Sequence, residues 1–112
     1  MTDLIDKKCV PCEGGTLPFT REEAERYLAE VPGWELRDDE HKITKTFSFK
    51  NFAEAIAFVN RVAALAEAEG HHPDIRLFSY KKVEITLSTH AIGGLSENDF
   101  IMAAKVGDVS MG

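Results

Sequence analysis

Apolar positions recur along the chain with two different periods, and the switches between them mark the elements. Thr20-Arg21-Glu22-Glu23 is a capping box, in which the Thr20 oxygen can bond the amide of Glu23 while Glu23 reaches back. Ala24, Tyr27, Leu28 and Val31 follow at helical spacing, and Pro32-Gly33 ends the pattern. Period two then takes over. Trp34 and Leu36 alternate with Glu35 and Arg37; Asp38-Asp39-Glu40 is a polar turn; Ile43, Phe47 and Phe49 alternate with Lys42, Thr44, Thr46 and Ser48, with Lys45 interrupting the apolar set. This predicts a hairpin with one buried face.

A second helix is capped by Asn51 with Glu54 at its third position. Phe52, Ile56, Val59, Ala63 and Ala66 form one stripe, and Ala55, Phe58, Val62 and Leu65 widen it. So broad a face predicts packing against a sheet and another helix. Gly70 supplies a left-handed stop. Residues 74–87 predict two more strands: Ile75 and Leu77 mark the first, and Val83, Ile85 and Leu87 alternate with Lys82, Glu84, Thr86 and Ser88 in the second. After the Gly93-Gly94 turn, Ser96-Glu97-Asn98-Asp99 caps a third helix carrying Phe100, Ile101, Ala104 and Val106. The order α-β-β-α-β-β-α predicts an α+β fold: a four-stranded antiparallel sheet with three helices on one face.

Residues 1–18, punctuated by Pro11, Gly14, Gly15 and Pro18, predict an N-terminal arm, leaving residues 19–112 as a single domain. A chain of 112 residues fits one domain, and that size buries roughly 65% of its unfolded surface. Apolar residues at 44% and charged residues at 29% argue against disorder. The net charge of -6 supports neither a nucleic-acid footprint nor attraction to an anionic membrane. Met1-Thr2-Asp3-Leu4-Ile5-Asp6 has no apolar signal core, and the most apolar stretch is broken by Glu54, Asn60 and Arg61, so a cytoplasmic location is expected. Cys9-Val10-Pro11-Cys12 could be a redox pair, half a zinc site or two reduced thiols in the arm. Zinc would need about four ligands, and no second pair of this spacing occurs.

Candidate chemistry concentrates in histidine. His71-His72-Pro73 follows the second helix, and Pro73 biases His72 towards an extended backbone, so the two imidazoles diverge. Glu67, four residues before His71, reaches that ring if the helical turn persists. His90 ends a strand spanning residues 82–89 and shares its polar face with Glu84, Thr86 and Ser88. Spacing alone leaves three readings open: surface or capping histidines, a catalytic set, or a His₃ zinc site. Asp99 suits a helix N-terminus electrostatically without any further role. His41 reads as a surface histidine.

Several motifs in order resemble one family. Glu67-x-x-x-His71-His72-Pro73, Tyr80-x-x-Val83, Leu87-Ser88-Thr89-His90 and Gly94-Leu95-Ser96-Glu97-x-Asp99 resemble the pterin-4a-carbinolamine dehydratases, as do Pro32-Gly33-Trp34 and Phe47-x-Phe49-x-x-Phe52. The run Cys9-Val10-Pro11-Cys12-Glu13-Gly14-Gly15 and Asp74-Ile75-x-Leu77 are similar to the bacterial branch. The resemblance implies dehydration of a 4a-hydroxytetrahydropterin in recycling the pterin of aromatic amino-acid hydroxylases, with no cofactor and no metal. It implies His71 and His90 as the acid/base pair and His72 as a positioning or relay group. Glu67, Pro73, Ser88, Thr89 and Asp99 would stand at the substrate, Glu67 orienting a histidine or binding the pterin. It further implies a homodimer or homotetramer, which the breadth of the apolar pattern would build through the exposed sheet face and the third helix. The alternatives it leaves are a pterin-binding or interaction role, tied to molybdopterin metabolism or to dimerization of a transcription factor.

Overall fold

The computed structural model describes residues 4–9, 17–37 and 41–110. Cys12, the glycines at 14 and 15 and the turn at 38–40 lie outside the described residues. The elements run α1 (Arg21–Leu28), β1 (Glu35–Arg37), β2 (Lys42–Ser48), α2 (Phe52–Glu69), β3 (Asp74–Phe78), β4 (Lys82–Leu87) and α3 (Glu97–Val109), with 3₁₀ turns at Leu4–Asp6 and His90–Ile92. The strands form one antiparallel sheet in the order β1-β2-β4-β3. This is the α+β arrangement that the alternating periods predict.

Capping begins the helices where the side chains allow it. Thr20 accepts from the Glu23 amide at 3.2 Å and Glu23 accepts from the Thr20 amide at 3.0 Å. Asn51 accepts from the Glu54 amide at 2.9 Å, and Gly70 ends α2 at φ 67. Each such cap satisfies an amide that the helix cannot. Strand alternation places Ile43, Phe47, Val83, Ile85 and Leu87 in the core, where α2 and α3 cover the central strand β4.

Two expectations about faces are corrected. The buried row of α2 is Ala55, Phe58, Val62 and Ala66, whereas Phe52 and Ile56 are exposed. An apolar face this wide leaves the rotation of the helix undecided, and docking on the sheet selects the row that carries Phe58. The third helix is sealed inside the chain's own core: Phe100, Ile101, Met102 and Val106 are no more than 1% exposed. It therefore has no large apolar face to offer a second copy; the exposed large apolar side chains include Phe52 and Ile56 on α2 and Ile75 on β3.

The described part of the arm is fastened. Leu4 joins the core, and its 3₁₀ turn packs on α3. Lys7 Nζ meets Glu97 Oε2 at 2.9 Å, and the Tyr27 hydroxyl donates to the same oxygen at 3.0 Å. The Cys9 amide donates to Glu69 Oε1 at 2.9 Å. The Lys7 ammonium holds the Glu97 carboxyl below its ordinary value of 4.5, and the Cys9 amide, followed by the Lys105 charge, does the same for Glu69. A carboxylate lowered on folding contributes stability above its unfolded pKa and loses it as pH falls through the folded value. Acidification below 4.5 should therefore loosen the arm before the sheet. Hydrogen-exchange protection factors at residues 4–9 should fall on going to about pH 3 while those of β4 persist. Arm amides that keep full protection there would contradict this.

Candidate active site

The site forms where α2 and β4 end and α3 begins. At the C-terminus of α2 the Gly70 amide donates to the Ala66 carbonyl at 2.9 Å and the His71 amide to the same carbonyl at 3.3 Å. The left-handed Gly70 stops the helix and turns His71 inward, with 12% of its side chain exposed, while His72 points out at 63%. The helical turn that would bring Glu67 to His71 thus ends one residue too early. Glu67 Oε2 meets His72 Nε2 instead, at 3.1 Å, with the carboxylate 80% exposed. So exposed a pair contributes about 0–1 kcal/mol.

His71 is held by Asp99. Its Nε2 lies 2.7 Å from Asp99 Oδ1. Asp99 is fully buried, and its Oδ2 accepts from the Thr89 hydroxyl at 2.8 Å and from the Ser96 amide at 2.9 Å. Thr89 Oγ1 and Ser96 Oγ are 2.9 Å apart, so Ser96 donates to Thr89 and Thr89 to Asp99. Every partner of Asp99 in this network is a donor, as a carboxylate requires. The network assigns the ring proton of His71 to Nε2 and leaves Nδ1 as the acceptor of the neutral ring. Asp99 also sits at the third position of α3, where its charge favours the helix N-terminus. One side chain serves both the local cap and the distant histidine.

The strand carrying His90 ends earlier than its alternation implies. β4 stops at Leu87; Thr89 then bridges to Gly94, its amide donating to the Gly94 carbonyl at 2.8 Å, and His90 opens the 3₁₀ turn His90–Ile92. Gly94 is required there, because a Cβ would lie 2.6 Å from Pro18 Cβ. This turn lifts His90 off the sheet and leaves it exposed.

His71, His72, His90, Ser88 and Thr89 all line one pocket of about 390 Å³, within the range of small-ligand sites. Glu67, Pro73 and Asp99 do not line it; Glu67 and Asp99 act on its histidines from behind. Sequence reasoning placed Cys9 in the arm and not at the site, and it missed Glu69 and Asn98; all three line the wall, as do Gly70 and Ala91. Only the nearness of Glu69 to His71 hinted at one of them. His41, read as a surface residue, lines a smaller depression of about 190 Å³ that shares Ser88, Thr89 and His90. A concavity as large as the histidine pocket lies on the outer face of the sheet, among Arg37, Lys42, Arg76 and Glu84, but brings no histidine. Among the described residues, no three His, Cys, Asp or Glu side chains gather as a metal-ligand set, and no helix is long and apolar enough to cross a membrane. The pocket thus combines one imidazole clamped by a buried carboxylate with two exposed imidazoles, a set suited to moving protons.

Residues 17–109 match the family model described as pterin 4 alpha carbinolamine dehydratase. A protein of Halorhodospira halophila, named as a candidate pterin-4-alpha-carbinolamine dehydratase, is 54% identical over 92% of this chain and 94% of its own length. A protein of the same name from Rubrobacter xylanophilus is 53% identical over 95% of this chain and 97% of its own. The crystal structure of a transcriptional coactivator/pterin dehydratase from Brucella melitensis superposes with a TM-score of 0.78 at 34% identity, covering 83% of this chain and 98% of that one. A pterin dehydratase-like protein identified as a RuBisCO assembly factor in the alpha-carboxysome aligns at a TM-score of 0.61 and 30% identity, over 70% of this chain and 90% of that one. The chain belongs to the pterin 4 alpha carbinolamine dehydratase family.

Proposed function

From that membership we propose that this protein dehydrates a 4a-hydroxytetrahydropterin to the quinonoid dihydropterin by histidine acid/base catalysis, recycling the pterin of an aromatic amino-acid hydroxylase. The C4a–O bond breaks as one group protonates the departing hydroxyl, and a second group takes the proton from N5. The electrons of the N5–H bond form the new C=N bond, water leaves, and no redox change occurs. Imidazole titrates near pH 6.5 when unperturbed, so it can play either part at about neutral pH. His71 and His90 form the acid/base pair, and His72, steadied by Glu67, positions the substrate or relays a proton. Ser88 contributes to binding. Thr89 stands at the substrate while its hydroxyl holds Asp99. Asp99 works through His71, and Pro73 by setting the backbone of His72. A cytoplasmic location goes with this reading.

The observation that carries the reading is the buried Asp99 carboxylate bonded to His71 in the lining of a pocket that His72 and His90 share. Its test is the decay of 4a-hydroxytetrahydropterin generated in situ by a phenylalanine hydroxylase. Acceleration over the spontaneous rate by catalytic amounts of the protein supports the dehydratase. Decay at the spontaneous rate overturns it and favours an interaction role, a reading prompted by the coactivator and assembly-factor names of the two structural relatives.

We further propose a homodimer or homotetramer, supported by the exposure of Phe52 and Ile56 along α2. Light scattering at micromolar concentration should give a multiple of 12.4 kDa, and the monomer mass alone would refute it.

A further inference from the structure

The acid/base scheme makes no use of residues 4–9, yet Cys9 reaches the pocket. Cys9 is tied at two points. Its amide donates to Glu69 Oε1 at 2.9 Å, and its thiol donates to the Asn98 carbonyl at 3.6 Å. Glu69 Oε2 faces Lys105 Nζ at 3.4 Å, and the two side chains are only 9% and 16% exposed. A carboxylate so far removed from water must be matched by donors. Here the Cys9 amide of the arm and the Lys105 ammonium of α3 supply them. Glu69 therefore joins three elements: α2, which carries it two residues before His71; α3, which carries Lys105; and the arm. Cys9, Glu69 and Asn98 line the same pocket as the three histidines.

We propose that residues 4–9 of the arm, through Cys9, form a wall of the substrate pocket, fastened by a Cys9–Glu69–Lys105 clasp, and that Glu69 is a positioning residue that governs substrate retention and not proton transfer. This rests on the dehydratase reading of the pocket. The chemistry of the wall follows from its surroundings. Burial first, and then the Glu69 charge, push the Cys9 thiol up to about 12, so it stays neutral. The arm thus presents a compact, polarisable S–H and not a nucleophilic or metal-binding thiolate. Such a surface suits the flat face of a heteroaromatic ring, against which sulfur packs favourably.

Two measurements test the proposal, the first of them without ligand. In the full chain carrying Cys12→Ser, Cys9 is the remaining thiol, and its reaction with a maleimide is followed by mass spectrometry. Glu69→Gln should speed labelling by about tenfold or more, because release of the clasp exposes the thiol and removes the charge that raises its pKa; Lys105→Met, which withdraws a cation that favours the thiolate, should speed it less and through exposure alone. Lys105→Arg should stay close to the parent, and thermal melting controls for loss of fold. Unchanged labelling in folded Glu69→Gln protein overturns the clasp whatever the pocket binds. In the second measurement, saturating 7,8-dihydrobiopterin should protect Cys9 in the parent protein. Glu69→Gln should raise KM by about tenfold with kcat within about twofold, the signature of lost binding and not of lost chemistry. A parent that turns over but gives no protection and no KM change overturns the wall. A parent that neither binds nor turns over pterin refutes the dehydratase reading, and the wall with it, while the labelling result still judges the clasp.

Discussion

Replacing His71 by alanine is expected to lower kcat for dehydration by about 10²- to 10⁴-fold, the range for loss of one positioned acid/base group. The fold should survive. The ring lines the pocket, from which water can enter the vacated space and donate to Asp99 Oδ1, so the stability cost is about 1–2 kcal/mol. His90→Ala should lose rate over the same range with almost no loss of stability, because its side chain stands exposed on the 3₁₀ turn. If the two imidazoles act on the same transition state, the double variant will be far less impaired than the product of the single losses. The check is kcat and KM for each variant in the in situ hydroxylase assay, alongside thermal melting. A His71→Ala protein that keeps its rate within about threefold would remove this histidine from the chemistry.

Asp99→Ala is expected to affect both fold and rate. Its carboxylate accepts from His71 Nε2, the Thr89 hydroxyl and the Ser96 amide, and it has no exposed surface. Deleting the acceptor leaves buried donors without partners and weakens the start of α3, so about 3 kcal/mol of stability should go. Asp99→Asn separates the two roles. The amide keeps the shape and one acceptor oxygen, so the fold suffers less. If its NH₂ group faces His71, however, it can only donate, and the ring must then offer Nε2 as acceptor and carry its proton on Nδ1. The tautomer facing the pocket is inverted, and kcat should drop on the order of 10²- to 10⁴-fold with a changed pH–rate profile. A purely structural Asp99 would lower the melting temperature and leave the shape of that profile unaltered. Denaturant unfolding and the pH dependence of kcat/KM distinguish the two outcomes.

Much of this architecture is written locally. Thr20 with Glu23, Asn51 with Glu54 and Ser96 with Asp99 announce three helix starts, because a cap acts within one turn. Ile43 and Phe47 on one strand, and Val83, Ile85 and Leu87 on another, announce the buried sheet face through a side-chain period of two. The histidines at 71, 72 and 90 stand out by residue type, and the first two also by the glycine before them and the proline after. Such signals survive in one dimension because their causes span only a few residues.

The partners of those histidines do not survive in that form. Sequence spacing pairs Glu67 with His71; the left-handed Gly70 breaks that turn, so Glu67 meets His72, and Asp99, 28 residues away, takes His71. Cys9 meets Glu69 across 60 residues, and no periodicity signals it. The row that α2 buries was equally open, since Phe52 and Phe58 both lie on apolar stripes and only the fit against β4 chooses Phe58. The sequence by itself therefore determined the elements, the sheet and the histidine set, because propensity, capping and alternation act over a few residues. Tertiary structure alone decided which carboxylate orients which imidazole and what walls the pocket, because those contacts depend on where each helix end sends the chain and on the burial that follows.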